Sequence, residues 1–165
     1  MADLTLRQYT PDDAAAVWDL HERALREAGA YDDEYAHLDA DLQNVAAEYL
    51  DTGGEFLVGE RDGELVAMGA LQPSRVVDHH ETRNGTAVVR RVRVDPEYHR
   101  QGYGSKVLER LQERARGLDF DRLVLDTTSE QEAAIGLFEA YNFEEVERLE
   151  TEEGLEVRFY EKWLR

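Results

Sequence analysis

Apolar and polar positions alternate from the start of the chain. Leu4, Leu6 and Gln8 interleave with Thr5, Arg7 and Tyr9 in a short first strand, and Thr10-Pro11-Asp12-Asp13 then reads as a cap into a helix. Val17, Leu20, Ala24 and Ala28 recur on one face, so that helix runs to about Ala28. After Gly29 an acidic connection bearing Tyr31, Asp32, Asp33, Glu34, Tyr35 and His37 leads to a second predicted helix, from about Asp39 to Leu50. Thr52-Gly53-Gly54 ends it.

Phe56-Leu57-Val58 and Leu65-Val66-Ala67-Met68 flank Arg61-Asp62-Gly63-Glu64, and Asp-Gly at the turn predicts an antiparallel hairpin. A polar loop with Asp78, His79, His80 and Glu81 leads into a strand near Thr86 to Val94, closed by Asp95-Pro96. Val107, Leu108, Leu111 and Ala115 mark a third helix from Gly102 to about Leu118, and Leu123-Val124-Leu125 a fifth strand. A fourth helix over about Glu130 to Tyr141 and strands near Glu144 to Glu150 and Glu156 to Trp163 complete the order βααβββαβαββ. With no repeat, low-complexity tract or linker, residues 1–165 form one α/β (α+β) domain.

Charge narrows the partners. Asp+Glu number 37 against 19 Lys+Arg, a formal net charge of -18, so a DNA or RNA partner held through its phosphates would be repelled. Only Lys106 and Lys162 are lysines, the other basic residues being arginines. Abundant carboxylates with so little lysine fit a halophilic protein, whose salt-rich cytoplasm screens their repulsion. An acidic groove for a cationic substrate is the rival explanation. Cysteine is absent, which removes disulfides, thiolate metal sites and any acyl-cysteine intermediate. MADLTLRQYT is not a signal peptide and no run of 18 apolar residues exists, so a cytoplasmic protein without a membrane partner is expected.

The chemistry concentrates in Val92-Arg93-Val94-Asp95-Pro96-Glu97-Tyr98-His99-Arg100-Gln101-Gly102-Tyr103-Gly104-Ser105, a strand, a tight loop and a helix start. Unpaired amides at a helix N-terminus, glycines that allow close approach and the charge of Arg100 suit an anion such as a pyrophosphate. An ordinary glycine-containing turn accounts for the same spacing. Neither GxxxxGK[ST] nor GxGxxG is present, so the usual nucleotide readings fail.

The run VRRVRVDPEYHRQGYGSKVLERL resembles the acetyl-CoA-binding motif of the GCN5-related N-acetyltransferase (GNAT) family, R/Q-x-x-G-x-G/A after a strand ending in V-x-V-D-P. Leu123 to Thr127 and Ala134 to Phe143 extend the likeness, the latter resembling the family block N-x-x-A-x-x-L-Y-x-x-x-G-F, and the element order agrees. The resemblance implies a GNAT fold, a mixed, mostly antiparallel central sheet flanked by helices. Its fourth and fifth strands splay at a bulge, and the pantetheine of acetyl-CoA lies between them. Backbone groups of Val92 and Val94 would pair with it, the Val92 amide would polarise the thioester carbonyl, and Arg100 to Ser105 would hold the pyrophosphate. The implied cofactor-binding set is Val92, Arg93, Val94, His99, Arg100, Gln101, Gly102, Tyr103, Gly104, Ser105, Gln131 and Phe138.

The chain departs from the family pattern at several places. His99 replaces the first Arg or Gln of the loop motif, Gln131 the usual Asn, and Asn142 the Gly before Phe143, where Asn tolerates a left-handed backbone. Phe138 stands where the family often has the tyrosine that protonates the leaving thiolate. Tyr141 is near in sequence, but its position normally packs into the core. Val88 and Val89 occupy the fourth-strand region where some members carry a glutamate base. Asp126, at the end of the fifth strand, is the candidate base, and a strand-end Asp bonding local backbone is the competing role.

Asp78-His79-His80-Glu81 contains metal-ligand residue types, but adjacent residues seldom converge on one ion, so no metal is expected. Arg90, Arg91 and Arg93 are expected to ion-pair with carboxylates in at least two cases, or to face the cofactor phosphates. The combined reading is an acyl-CoA-dependent N-acyltransferase that moves acetyl directly to a primary amine, on a small molecule or a protein. A non-catalytic acyl-CoA sensor is the alternative. A homodimer is compatible with either.

Overall fold

The computed structural model describes residues 4–27, 40–77, 83–128, 131–152 and 154–164. Its elements are β1 (Thr5–Gln8), α1 (Ala14–Glu27), β2 (Glu55–Arg61), β3 (Glu64–Pro73), β4 (Thr86–Val94), α2 (Tyr103–Gly117), β5 (Arg122–Thr128), α3 (Glu132–Ala140), β6 (Glu144–Glu150) and β7 (Glu156–Trp163). The strands form one seven-stranded sheet in the order β1-β2-β3-β4-β5-β7-β6. Every neighbouring pair is antiparallel except β4 and β5, which run parallel because α2 carries the chain back between them.

Alternation along the strands assigns the two faces. Leu57, Ala67, Leu71, Ala87, Leu123 and Leu125 pack with Val107, Leu108 and Leu111 of α2 and Phe138 of α3. Phe56, Val58, Met68 and Ala70 point the other way, onto Val17 and Leu20 of α1 and onto Leu42, Val45 and Tyr49. The hairpin forms at the predicted turn, where Asp62 (φ 53°) and Gly63 (φ 81°) both take the left-handed backbone that matches strand twist.

The predicted helix from Asp39 to Leu50 takes a different form. Among the described residues this segment is a short 3-10 turn over 40–43 followed by a wide π-type turn, Ala46–Leu50, closed by a 2.7 Å bond from the Asp51 amide to the Ala46 carbonyl. The widened turn accompanies a hydrogen bond from the buried Tyr49 hydroxyl to Asp41, and apolar spacing does not encode such a tertiary contact. Strands β3 and β5 run longer than the hydrophobic pattern suggested, since β3 continues through Gly69 and Gln72 and β5 through Asp126 and Thr127.

One irregularity shapes the molecule's centre. Arg90 pairs with Ala70 and Arg93 with Met68, so β4 spends one more residue than β3 over the same length. That is a β-bulge. Within it Arg91 has φ 60°, uncommon for a residue with a side chain. Gly69 lies opposite, and a Cβ there would stand 2.5 Å from Val107 Cγ1, so the bulge region sits hard against α2.

Candidate active site

Parallel pairing between β4 and β5 covers only Thr86–Arg122, Ala87–Leu123 and Val88–Val124. Beyond Val88 the strands diverge, and the gap opens into a cavity of about 600 Å³ whose walls include Val92, Arg93, Asp126, Thr127, Gln131 and Phe138. An open sheet edge of this kind offers backbone donors and acceptors to an extended ligand.

The bulge that starts the divergence is held by a buried ion pair. Arg91 donates Nε to Asp41 Oδ2 (3.0 Å) and Nη2 to Asp41 Oδ1 (2.6 Å), and both side chains are about nine-tenths buried. Burial pushes the Asp41 carboxyl up, but the hydrogen bonds and charge of Arg91 outweigh it and hold the group below the usual carboxylate range. Burial likewise drives the Tyr49 hydroxyl above its ordinary value, so it stays a donor to Asp41.

At the end of β4 the chain enters the glycine loop. Arg100 (φ 65°) and Gly102 (φ 79°) both take left-handed backbone, and Gly102 caps α2. The first intrahelical bond there runs from the Lys106 amide to the Gly102 carbonyl (3.1 Å). The amides before Lys106 therefore have no partner within the helix. Arg61 braces the loop, donating to Gln101 Oε1 (2.8 Å) and the Tyr103 hydroxyl (2.9 Å) and lying over the Tyr98 ring, which stacks on Tyr103. His99 Nε2 is 3.2 Å from the Val94 carbonyl, closing the turn on its own strand. A Cβ on Gly104 would meet Leu137 Cδ2 at 3.2 Å, so the start of α2 packs closely on α3. Arg100 is exposed and Ser105 half-buried on the first turn.

On the opposite wall Gln131 precedes α3, its amide bonded to the Thr128 carbonyl (3.0 Å). Phe138 is buried, with its ring edge-on to Phe143 at 5.6 Å, and brings no hydroxyl to the cavity. The Tyr141 hydroxyl donates to Glu109 (2.6 Å), a bond that raises its pKa, and the residue does not line the cavity. Asp126 and the hydroxyls of Thr127 and Thr128 are the wall's groups able to carry a proton. Thr127 is 6% exposed, and among the described residues its Oγ1 has no hydrogen-bond partner.

The structure thus gathers Val92, Arg93, Asp126, Gln131 and Phe138 on one cavity, with the loop from His99 to Ser105 following directly from β4. Sequence reasoning missed the contributions of Asp41, Arg61 and Thr127. Asp41 and Arg61 act on residues 50 and 40 positions away, which no local pattern reports, whereas Thr127 continues the β5 alternation into the cavity. The expected ion pairing of the β4 arginines holds for Arg91, while Arg90 donates instead to the Gln72 amide oxygen (2.8 Å). The Tyr31–His37 connection and Asp78-His79-His80-Glu81 lie outside the described residues. Among the described residues no three His, Asp or Glu side chains group so as to hold a metal ion.

A family model described as "Acetyltransferase (GNAT) family" matches residues 14–143. An "IAA acetyltransferase" of Azospirillum brasilense is 29% identical over 143 residues, covering 87% of this chain and 86% of that protein. An "Amino-acid acetyltransferase" of Pseudomonas aeruginosa is 36% identical over 74 residues, 45% of this chain but 16% of that longer protein. Among solved structures, a GNAT-family acetyltransferase from Staphylococcus aureus Mu50 superposes with TM-score 0.82 at 19% identity, covering 99% of this chain and 100% of that one. The Salmonella typhimurium acetyltransferase YncA, solved with acetyl-CoA, superposes with TM-score 0.78 at 22% identity, covering 98% and 94%.

Proposed function

Since the chain belongs to the GNAT acetyltransferase family and is on that footing an acetyl-CoA-dependent N-acetyltransferase, we propose that it moves acetyl directly to an acceptor amine in the gap between β4 and β5, with Asp126 as the base. The observation that carries this reading is the divergence of the two strands beyond Val88–Val124, with Asp126 in the cavity wall and the glycine loop at the end of the same strand.

The fit to acetyl-CoA rests on that open edge and on the loop. Val92 and Val94 supply backbone groups along β4, and the amides of Tyr103, Gly104 and Ser105 with Arg100 meet the pyrophosphate. Gly102 and Gly104 keep side chains away from it, while Gln101 and Tyr103 are fixed by Arg61. Bound there, the cofactor supplies an activated acetyl thioester whose sulfur departs as a stabilised thiolate.

An acceptor amine with a pKa of about 10 arrives protonated and must lose that proton before its nitrogen attacks. Asp126 takes the proton, directly or through a water that the Thr128 hydroxyl, two positions along the same face of β5, helps to place. The Val92 N–H stabilises the negative charge that builds on the carbonyl oxygen as nitrogen bonds to carbon. Phe138 offers no proton, so the leaving sulfur takes its proton from water, and the second proton, shed by the nitrogen once it is bonded to carbon, returns to that water. The acceptor is a small-molecule or protein amino group, and the amino-acid acetyltransferase among the relatives supports the small-molecule case. The acidity and scarcity of lysine belong to a protein of salt-rich cytoplasm.

Asp126→Asn tests the assignment. The expected result is a kcat lower by roughly a hundredfold or more, with unchanged acetyl-CoA affinity. An unchanged kcat would remove Asp126 from the role.

A further inference from the structure

The bulge does more than separate β4 from β5, because it also decides where the arginines of β4 point. Residues 90 and 93 are separated by an odd number of positions and in a regular strand would face opposite sides of the sheet. With Arg91 inserted between them, Arg90 stands opposite Ala70 and Arg93 opposite Met68. Ala70 and Met68 both belong to the α1-side core, while Val92 and Val94 pack against the α2–α3 core. Cross-strand partners share a face, so Arg90 and Arg93 both leave β4 on the α1 side of the gap. Asp126 emerges on that side too. It follows Leu125, which is in the α2–α3 core, and continues the face of Val124, which packs with Val77 and Val88. Arg90, Arg93 and Asp126 all line the one cavity.

The three arginines differ in what balances them. Arg91 is committed to Asp41 and holds the bulge. The described hydrogen-bond partner of Arg90 is neutral: Nη1 donates to Gln72 Oε1 (2.8 Å), and Gln72, 1% exposed, is itself fixed by donating to the Glu48 carbonyl (2.9 Å). The Arg90 charge also acts on Asp41, the carboxylate that Arg91 binds directly, so the two guanidiniums share that one counter-charge and leave positive charge on the cavity wall. A guanidinium suits a carboxylate, whose two oxygens match its fork. The surrounding body is strongly negative, so an anionic acceptor would need such a local cationic anchor to stay.

We propose that the acceptor is a compact amino acid, an amine bearing a carboxylate, with Arg90 and Arg93 receiving the carboxylate on the α1 side of the gap while the amine faces Asp126. The inference rests on the acetyltransfer reading above and names its substrate class. The shared cavity of about 600 Å³ must hold the acyl end of the cofactor as well as the acceptor, which favours a small molecule over a folded protein surface.

The test compares initial rates for matched acceptors, each amino acid set against its carboxamide and its decarboxylated amine, using wild type, Arg90→Gln, Arg93→Gln and Arg90→Lys. Wild type is expected to prefer the carboxylated member by about tenfold or more in kcat/KM, the scale of one or two hydrogen bonds to a charged group. In both Gln variants that ratio should fall toward one through a higher acceptor KM, with acetyl-CoA KM held. Arg90→Lys should restore some of the ratio. Equal or better turnover of the carboxamides and decarboxylated amines by wild type overturns the carboxylate proposal and leaves amine acetylation standing. A Gln effect on acetyl-CoA KM with no change in acceptor preference also overturns it, assigning the arginines to the cofactor. Acetyl-CoA binding without turnover of any acceptor overturns the transfer reading and this proposal together.

Discussion

Asp41→Asn removes the negative partner of Arg91 while keeping the shape of the side chain. In the wild type both side chains are about nine-tenths buried, two hydrogen bonds join them, and Tyr49 donates a third to the same carboxylate. Breaking a buried pair from one side leaves a guanidinium without its counter-charge, at a cost of about 3 kcal/mol. For a chain of this size each kcal/mol moves the melting temperature by roughly 2–4 °C, so Tm should fall by about 6–12 °C. The pH dependence has a definite sign. Asp41 is held below its ordinary value in the folded state, so its stabilisation is complete above the unfolded carboxylate value of about 3.9 and is lost as pH falls through the lower folded value. Calorimetric melts of wild type and variant should therefore differ by a constant gap from pH 8 to pH 5, narrowing below about pH 4. Adding Arg91→Met to Asp41→Asn should recover at least about 1 kcal/mol, because the stranded charge goes with it. A Tm loss under about 2 °C, a gap that ignores pH, or a double variant whose losses simply add would refute the view that this pair clamps the bulge.

Gly69→Ala should lower stability by about 1–3 kcal/mol, since the new methyl would lie 2.5 Å from Val107 Cγ1 and 3.0 Å from Leu111 Cδ1; urea melts with unchanged slope check this. Gly104→Glu brings a negative charge to the start of α2 and should abolish most of the thermal stabilisation that acetyl-CoA gives wild type. An equal shift in both proteins would place the phosphates elsewhere.

Much of the architecture was legible because each element carries its own local reason. Asp62-Gly63 forced the hairpin, and the α2 apolar stripe fixed the helix that returns the chain for a parallel β5. The glycine loop and its helix stood together in one run from Val92 to Ser105. What stayed hidden depends on residues meeting across the fold. The π-type turn at Ala46–Leu50 accompanies Tyr49 reaching Asp41, and apolar spacing cannot separate it from an ordinary helix. The bulge was implied by family likeness, but its placement at Arg91, and hence the common facing of Arg90 and Arg93, follows only from the β3–β4 register. Asp126 was found as a strand-end carboxylate. Its place in the cavity wall beside Thr127 required the divergence of β4 and β5 to be seen.

Direct transfer within one complex of enzyme, acetyl-CoA and amine is the central claim, and the initial-velocity pattern with both substrates varied tests it most directly. The account predicts double-reciprocal lines that intersect, since both substrates must be present in the gap before acetyl moves. Parallel lines would mean that acetyl is first parked on the protein and CoA released before the amine binds, and would contradict it.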